Sequence, residues 1–128
     1  IKLTKNSDII ITYRKKRAHT FSRIIISLVY NFILRLFFRT QFKDVSSGQR
    51  LLKRKLLKNI YMRSNSPFFG AELAIKSFYK KYKVREIGVI EYPTRVLSGS
   101  SVTIKNIILT LSEMIYLYRN LNFKKNKD

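Results

Sequence analysis

Two hydrophobic rhythms alternate along the chain. Residues 8 to 13, Asp-Ile-Ile-Ile-Thr-Tyr, form a β-branched apolar run that predicts a short buried strand, ended by the basic run Arg14-Lys15-Lys16-Arg17. From Thr20 to Arg39 the spacing turns helical, with Phe21, Ile24, Ile25, Leu28, Val29, Phe32, Leu36 and Phe37 recurring at the α-helical period. Ile26, Ile33, Leu34 and Phe38 widen that stripe until little of the helix is polar. Such a helix, with Arg23, Arg35 and Arg39 able to snorkel, suits a membrane interface, and equally a core position under a sheet. Residues 43 to 50 read as a turn, broken by Ser46-Ser47-Gly48. Leu51 to Tyr61 then reads as an amphipathic helix, with apolar positions 51, 52, 56, 57 and 60 set among Lys53, Arg54, Lys55 and Lys58.

Asn65-Ser66-Pro67 breaks the chain before a helix predicted from Gly70 or Ala71 to Tyr82. Glu72 stands near its start, where a carboxylate complements the helix dipole, and capping alone accounts for it. Alternation over Lys83 to Glu91 predicts a second strand that ends before Pro93. Thr94 to Ser101 forms a Ser/Gly loop, Val102 to Leu121 a last helix, and residues 122 to 128 a basic tail expected to be disordered. The order is strand, three helices, strand, helix. It predicts one α/β domain over residues 1 to 121 with only two clear strands, so the strand at 8 to 13 would present an open edge in need of a partner.

Composition narrows the partners. The 128 residues carry 27 Lys and Arg against 7 Asp and Glu, a net charge of +20, which calls for a polyanion: nucleic acid, an anionic membrane surface or a phosphorylated substrate. A hydrophobic content of 45% with 13% aromatics excludes a disordered basic tail. With no Cys and a single His19, neither a disulfide framework nor a zinc site is available. The longest apolar stretch, Ile24 to Leu34, is shorter than the roughly 20 residues of a membrane span, and no signal peptide is legible. A nucleic-acid-binding protein is the rival suggested by a pI of about 10.5, eight Tyr and nine Phe. Against it, the aromatics fall mostly on apolar faces and no RNA-binding or helix-turn-helix signature emerges.

Four segments in order resemble the polyprenyl-phosphate glycosyltransferases of glycosyltransferase family 2, the dolichol-phosphate mannose synthase type, over roughly residues 8 to 118. Ile-Ile-Ile-Thr-Tyr-Arg at 9 to 14 resembles the family's central strand ending in an Arg; Arg23, Ser27 and Asn31 match a series at four-residue steps on an interfacial helix. Lys43-Asp44-Val45-Ser46-Ser47-Gly48-Gln49-Arg50 is similar to the Asp, Ser-Gly, aromatic, Arg loop. Phe68 to Leu73, Val84 to Ile87 and Tyr92-Pro93-Thr94-Arg95 with Gly99 and Ser101 resemble the closing motifs. Leu28 and Val29 depart from a common Arg-Gly, Gln49 from Phe, and Val102 from Lys. The family's N-terminal nucleotide-binding strands and Asp-x-Asp motif have no counterpart. The resemblance therefore implies the C-terminal portion of a GT-A, Rossmann-like domain, and the opening Ile1 in place of Met fits a fragment.

The implied reaction is attack by a polyprenyl-phosphate oxygen on the anomeric carbon of a nucleotide sugar. A phosphate monoester is mostly dianionic at pH 7, so the site needs cationic positioning more than a strong base. By the resemblance Arg14, Arg23 and Ser27 hold the acceptor phosphate, residues 23 and 27 sharing a helix face. Asp44 and Arg95 are the catalytic candidates: Arg95 would reach a phosphate when its loop closes about Gly99, and Asp44 would order the arginines or orient the acceptor. A merely structural pairing of Asp44 with Lys43 or Arg50 is the alternative. Gly48, Arg50, Glu72, Gly99 and Ser101 are supporting positions. No metal site is expected within the chain, Mg or Mn belonging to the absent Asp-x-Asp motif of a complete enzyme. Expected partners are a polyprenyl phosphate, a nucleotide sugar for the complete enzyme only, and an anionic membrane surface, with a homo-oligomer or complementing chain also open. The helices at 20 to 39 and 50 to 61 would lie on the cytoplasmic face of a membrane, each cation near an anionic leaflet adding roughly 1 kcal/mol. An inert truncated remnant and a basic nucleic-acid-binding protein are the alternative functions.

Overall fold

Three consecutive isoleucines at the start of the first strand settle the architecture, because all of them are buried and the backbone polar groups they carry must find partners on both sides. The computed structural model describes residues 5–16, 21–45, 49–90 and 103–125. Within them the order is β1 (Ile9–Lys16), α1 (Phe21–Phe38), β2 (Arg50–Leu52), α2 (Arg54–Asn59), α3 (Phe69–Tyr79), β3 (Val84–Ile90) and α4 (Ile104–Lys125). The protein is a small mixed α/β protein with a three-stranded sheet in the order β2-β1-β3. β1 runs antiparallel to β2, Ile9 opposite Leu52 and Ile11 opposite Arg50, and parallel to β3, Ile9 opposite Val84 and Arg14 opposite Val89.

Several expectations need correction. The strand at 8 to 13 is central, flanked by β2 over Ile9–Ile11 and by β3, and it continues through Arg14 and Lys15 to Lys16, past a register shift between Arg14 and Lys16. The helix expected over Leu51 to Tyr61 is divided: Arg50–Leu52 is strand, and only Arg54–Asn59 is helical. Leu56 and Ile60 keep the helical spacing and are buried, but residues 50 to 52 satisfy the second edge of β1, and that pairing overrides the local periodicity. α4 extends to Lys125, into the segment expected to be a disordered tail.

Core packing joins Ile9 and Ile11 to Leu34 and Phe38 of α1, Ala74 and Ile75 of α3, and Met114 and Leu117 of α4. Where α3 ends, no glycine is present. Lys81 takes the left-handed conformation with φ 60°, its N–H reaches Phe78 O at 3.0 Å, and Tyr82 N–H reaches Ser77 O at 3.1 Å, a Schellman closure. At the sheet's entry Asp8 accepts from Lys53 Nζ at 3.0 Å and from Lys83 N at 2.9 Å, tying all three strands together.

Glu72 does not cap α3. Its carboxylate is 2% exposed and turned toward the extended segment before the helix, accepting from Arg63 N and Ser64 N, the latter at 2.8 Å, and from Lys76 Nζ. Burial alone would raise its pKa; the bonds from Lys76, Ser64 and Arg63 outweigh burial and hold it below the usual 4.5. On the other side of the same segment Glu113 of α4 accepts from Asn65 N at 3.1 Å and from the Ser66 hydroxyl. Two carboxylates thus hold residues 63 to 66 between α3 and α4.

Glu72→Ala leaves the Ser64 N–H buried without an acceptor and is expected to destabilise the fold by about 2–3 kcal/mol in urea unfolding. Because the native carboxyl titrates below the unfolded one, its contribution is full above pH 4.5 and is lost as pH falls through the lower native value. Glu72→Gln should flatten that part of the stability profile.

Candidate functional site

Arg14 lies near the end of the central strand, just before the register shift and two residues beyond Thr12, which still bonds Gln49 O. Its guanidinium meets the carboxylate of Asp44 through two bonds, Nε to Oδ2 at 2.7 Å and Nη2 to Oδ1 at 3.2 Å. Nη2 also donates to Ser27 Oγ at 3.2 Å. Asp44 is 2% exposed, so this is a buried charge compensated by a forked pair. Residues separated by 13 and 30 positions are therefore brought to one place.

Asn31 completes the cluster from α1. Its Nδ2 donates to Asp44 Oδ1 at 3.1 Å and to Ser27 O at 2.8 Å, while its Oδ1 accepts from Val45 N at 2.9 Å. A buried Asn on an apolar helix needs these partners, and they fix the loop carrying Asp44 against α1. Arg23, Ser27, Asn31 and Arg35 follow one another at four-residue steps, so Arg23 stands one turn before Ser27 on the same row. Arg23 is exposed, and among the described residues no carboxylate pairs with it. Arg35 donates from Nε to Asn31 O at 3.3 Å.

Of the other residues singled out from sequence, Arg50 lies beside the cluster. Its Nη2 donates to Val45 O at 2.6 Å, and its guanidinium covers Gly70, where an added Cβ would stand 2.3 Å from Nη2. Arg50 Nε and the Tyr30 hydroxyl are both buried without a hydrogen-bond partner, and burial raises the Tyr30 pKa and lowers that of Arg50. Asp44 pairs with Arg14, while Lys43 lies over the Tyr13 ring at 4.6 Å and its N–H reaches Glu86 Oε1 at 2.8 Å. Glu72 belongs to the strap between α3 and α4, away from these contacts. Gly48, Arg95, Gly99 and Ser101 lie outside the described residues.

Sequence reasoning assigned no role to Asn31, although its spacing from Ser27 was visible and a lone amide on an apolar helix is a signal for a buried polar contact. Glu113 carries no comparable signal, because its partners Asn65 and Ser66 lie in a distant segment. Among the described residues no group of three or more His, Asp or Glu side chains stands together to hold a metal ion. Comparison with protein-family models, with curated proteins and with solved structures returned no match.

Chemically, the cluster fixes the orientation of one guanidinium and one hydroxyl at the end of a strand. Asp44→Ala removes the carboxylate on which the Arg14 guanidinium is forked and is expected to destabilise the fold by about 3–5 kcal/mol in chemical denaturation. The double change Arg14→Met with Asp44→Leu should recover part of that loss, because it removes both charges together.

Proposed function

We propose that this chain is the acceptor-binding part of a membrane-associated glycosyltransferase that moves a sugar from a nucleotide sugar to a polyprenyl phosphate, its sheet being the C-terminal portion of a GT-A domain. The observation that carries the reading is the meeting of Arg14, Ser27 and Asp44, one helical turn from Arg23, on a helix whose outer side is apolar and uncovered. An amphiphile with a phosphate head and a prenyl tail needs that adjacency. Its head requires cations and hydroxyls, and its tail requires a lipid-facing surface beside them.

The roles divide by charge. Asp44 offsets the charge of Arg14, so Arg14 supplies direction, held in a fork at the strand's end and aimed by Ser27. Arg23 supplies the uncompensated positive charge for the acceptor dianion. Asp44 acts on the acceptor through Arg14, as a positioning residue.

By length and composition α1 is apolar enough to cross a membrane. Its bonds through Asn31 to Asp44 and Val45 hold it along the domain, which supports a helix lying in the interface. On this reading the protein is peripheral, on the cytoplasmic face.

The test uses farnesyl phosphate, with farnesol as the neutral control, titrated into the protein in a zwitterionic detergent. Farnesyl phosphate should bind more tightly than farnesol, and Arg23→Gln should weaken the phosphate alone by about tenfold, the loss of one charge-assisted contact. Equal binding of phosphate and alcohol would overturn the proposal.

A further inference from the structure

The outer rows of two helices repeat one another. On α1, Phe21, Ile25, Leu28 and Phe32 follow at steps of four, three and four residues, and all are exposed, Phe21 by 79%. On α4, Ile104, Ile108, Leu111 and Ile115 follow at the same steps and are likewise exposed, Ile104 by 78%. That spacing ordinarily marks a buried seam. Here each helix already has its seam on the opposite side: Leu34 and Phe38 of α1, Met114 and Leu117 of α4, all in one core cluster. The outer rows are a second apolar face on each helix, left without a protein partner among the described residues.

The two helices meet at one flank. Phe37 sits on the flank of α1, between its buried and outer rows, and meets Tyr118 on the flank of α4 edge to face at 5.2 Å between ring centroids. Helices that touch by their flanks while burying their inner rows in one core lie side by side, so their outer rows face the same way. Patches of this extent on a soluble protein mark an interaction site.

Charge decides the occupant. Exposed Arg35 borders the α1 row, and exposed Lys105 and Arg119 stand beside the α4 row, Arg119 one turn beyond Ile115. A second copy would bring another net +20 against these cations, whereas an anionic bilayer receives both the apolar rows and the charges at their margins. We infer that α1 and α4 together form one bilayer-facing surface whose cationic margins bind anionic lipid headgroups. This replaces residues 50 to 61 as the second membrane element, since that segment is a strand and a six-residue helix. The inference rests on the membrane setting of the proposed function, but not on its phosphate chemistry.

The test is co-sedimentation with phosphatidylcholine vesicles, with and without phosphatidylglycerol, none containing polyprenyl phosphate. Wild type should bind the anionic vesicles and lose binding as salt rises. The pair Ile108→Asp and Ile115→Asp should weaken partitioning by at least about tenfold, as should Leu28→Asp with Phe32→Asp, while Leu57→Asp on exposed α2 should leave it unchanged. Circular dichroism confirms that each variant is folded. Independently, the emission of Ile108→Trp should shift to the blue and be quenched by brominated lipid, and that of Leu57→Trp should not. Wild-type binding by the α4 pair, or an unquenched Ile108→Trp, overturns the inference. So does a dimer in sedimentation equilibrium that the α4 pair dissolves without changing vesicle binding. Absence of wild-type vesicle binding overturns the surface too, while farnesyl phosphate discrimination in detergent still decides the phosphate site separately.

Discussion

A carboxylate removed from water must be matched by charge and hydrogen bonds, and Asp44 is the point at which this constraint organises the molecule. Arg14 answers it from β1 and Asn31 from α1. Asn31 also accepts the Val45 N–H, and Arg50 Nη2 then reaches the Val45 carbonyl, so the contacts pass from strand to helix to loop and on to the first residue of β2. Removing either charge of the pair takes from the other its forked counter-charge. The pair therefore specifies how α1 sits on the sheet as much as it stabilises the fold.

That seating gives α1 two faces with different obligations. Its inner side carries Ser27, Asn31 and Leu34 into polar and apolar contacts with the domain, while its outer side leaves Phe21, Leu28 and Phe32 in the open. A helix held only by apolar packing could leave the domain for a bilayer. One whose Asn31 bonds a buried carboxylate and a backbone N–H is bound to stay, because its departure would take the acceptor from the Val45 N–H and one donor from Asp44. Holding the polar row inward and the apolar row outward keeps the Arg14–Asp44–Ser27 cluster beside an exposed apolar face.

Local signals were legible where the local pattern and the tertiary structure agree. The β-branched run at Ile9, the period of Phe21 to Phe38 and the alternation of Val84 to Ile90 each have one strongly preferred outcome, and each forms the predicted element. Arg50–Leu52 was misread because its two leucines fit a helical period with Leu56 and Ile60, and only the unpaired edge of a strand some 40 residues earlier makes it extended. Glu72 does stand in the first turn of α3, as its position predicts, but its acceptor role depends on Arg63 and Ser64 backbone groups, which no side-chain pattern announces. Within the candidate site, Arg14, Ser27 and Asp44 meet from three separate segments. The fork between Arg14 and Asp44 follows from geometry that spacing along the chain does not contain.

The distribution of acidic groups explains why so much positive charge faces outward. Of the seven acidic residues, the five that are described all accept hydrogen bonds that join distant segments. Asp8 joins the three strands, Asp44 joins β1 to α1, and Glu86 reaches the loop at Lys43. Glu72 and Glu113 hold the segment between them. Three of the five form ion pairs among the described residues, with Lys53, Arg14 and Lys76. Acids committed to internal joints cannot neutralise a surface, so described cations such as Arg23, Arg35, Lys55, Lys58, Lys105 and Arg119 stand exposed. A field of that sign beside an uncovered apolar face is matched most completely by a surface that is itself both anionic and apolar.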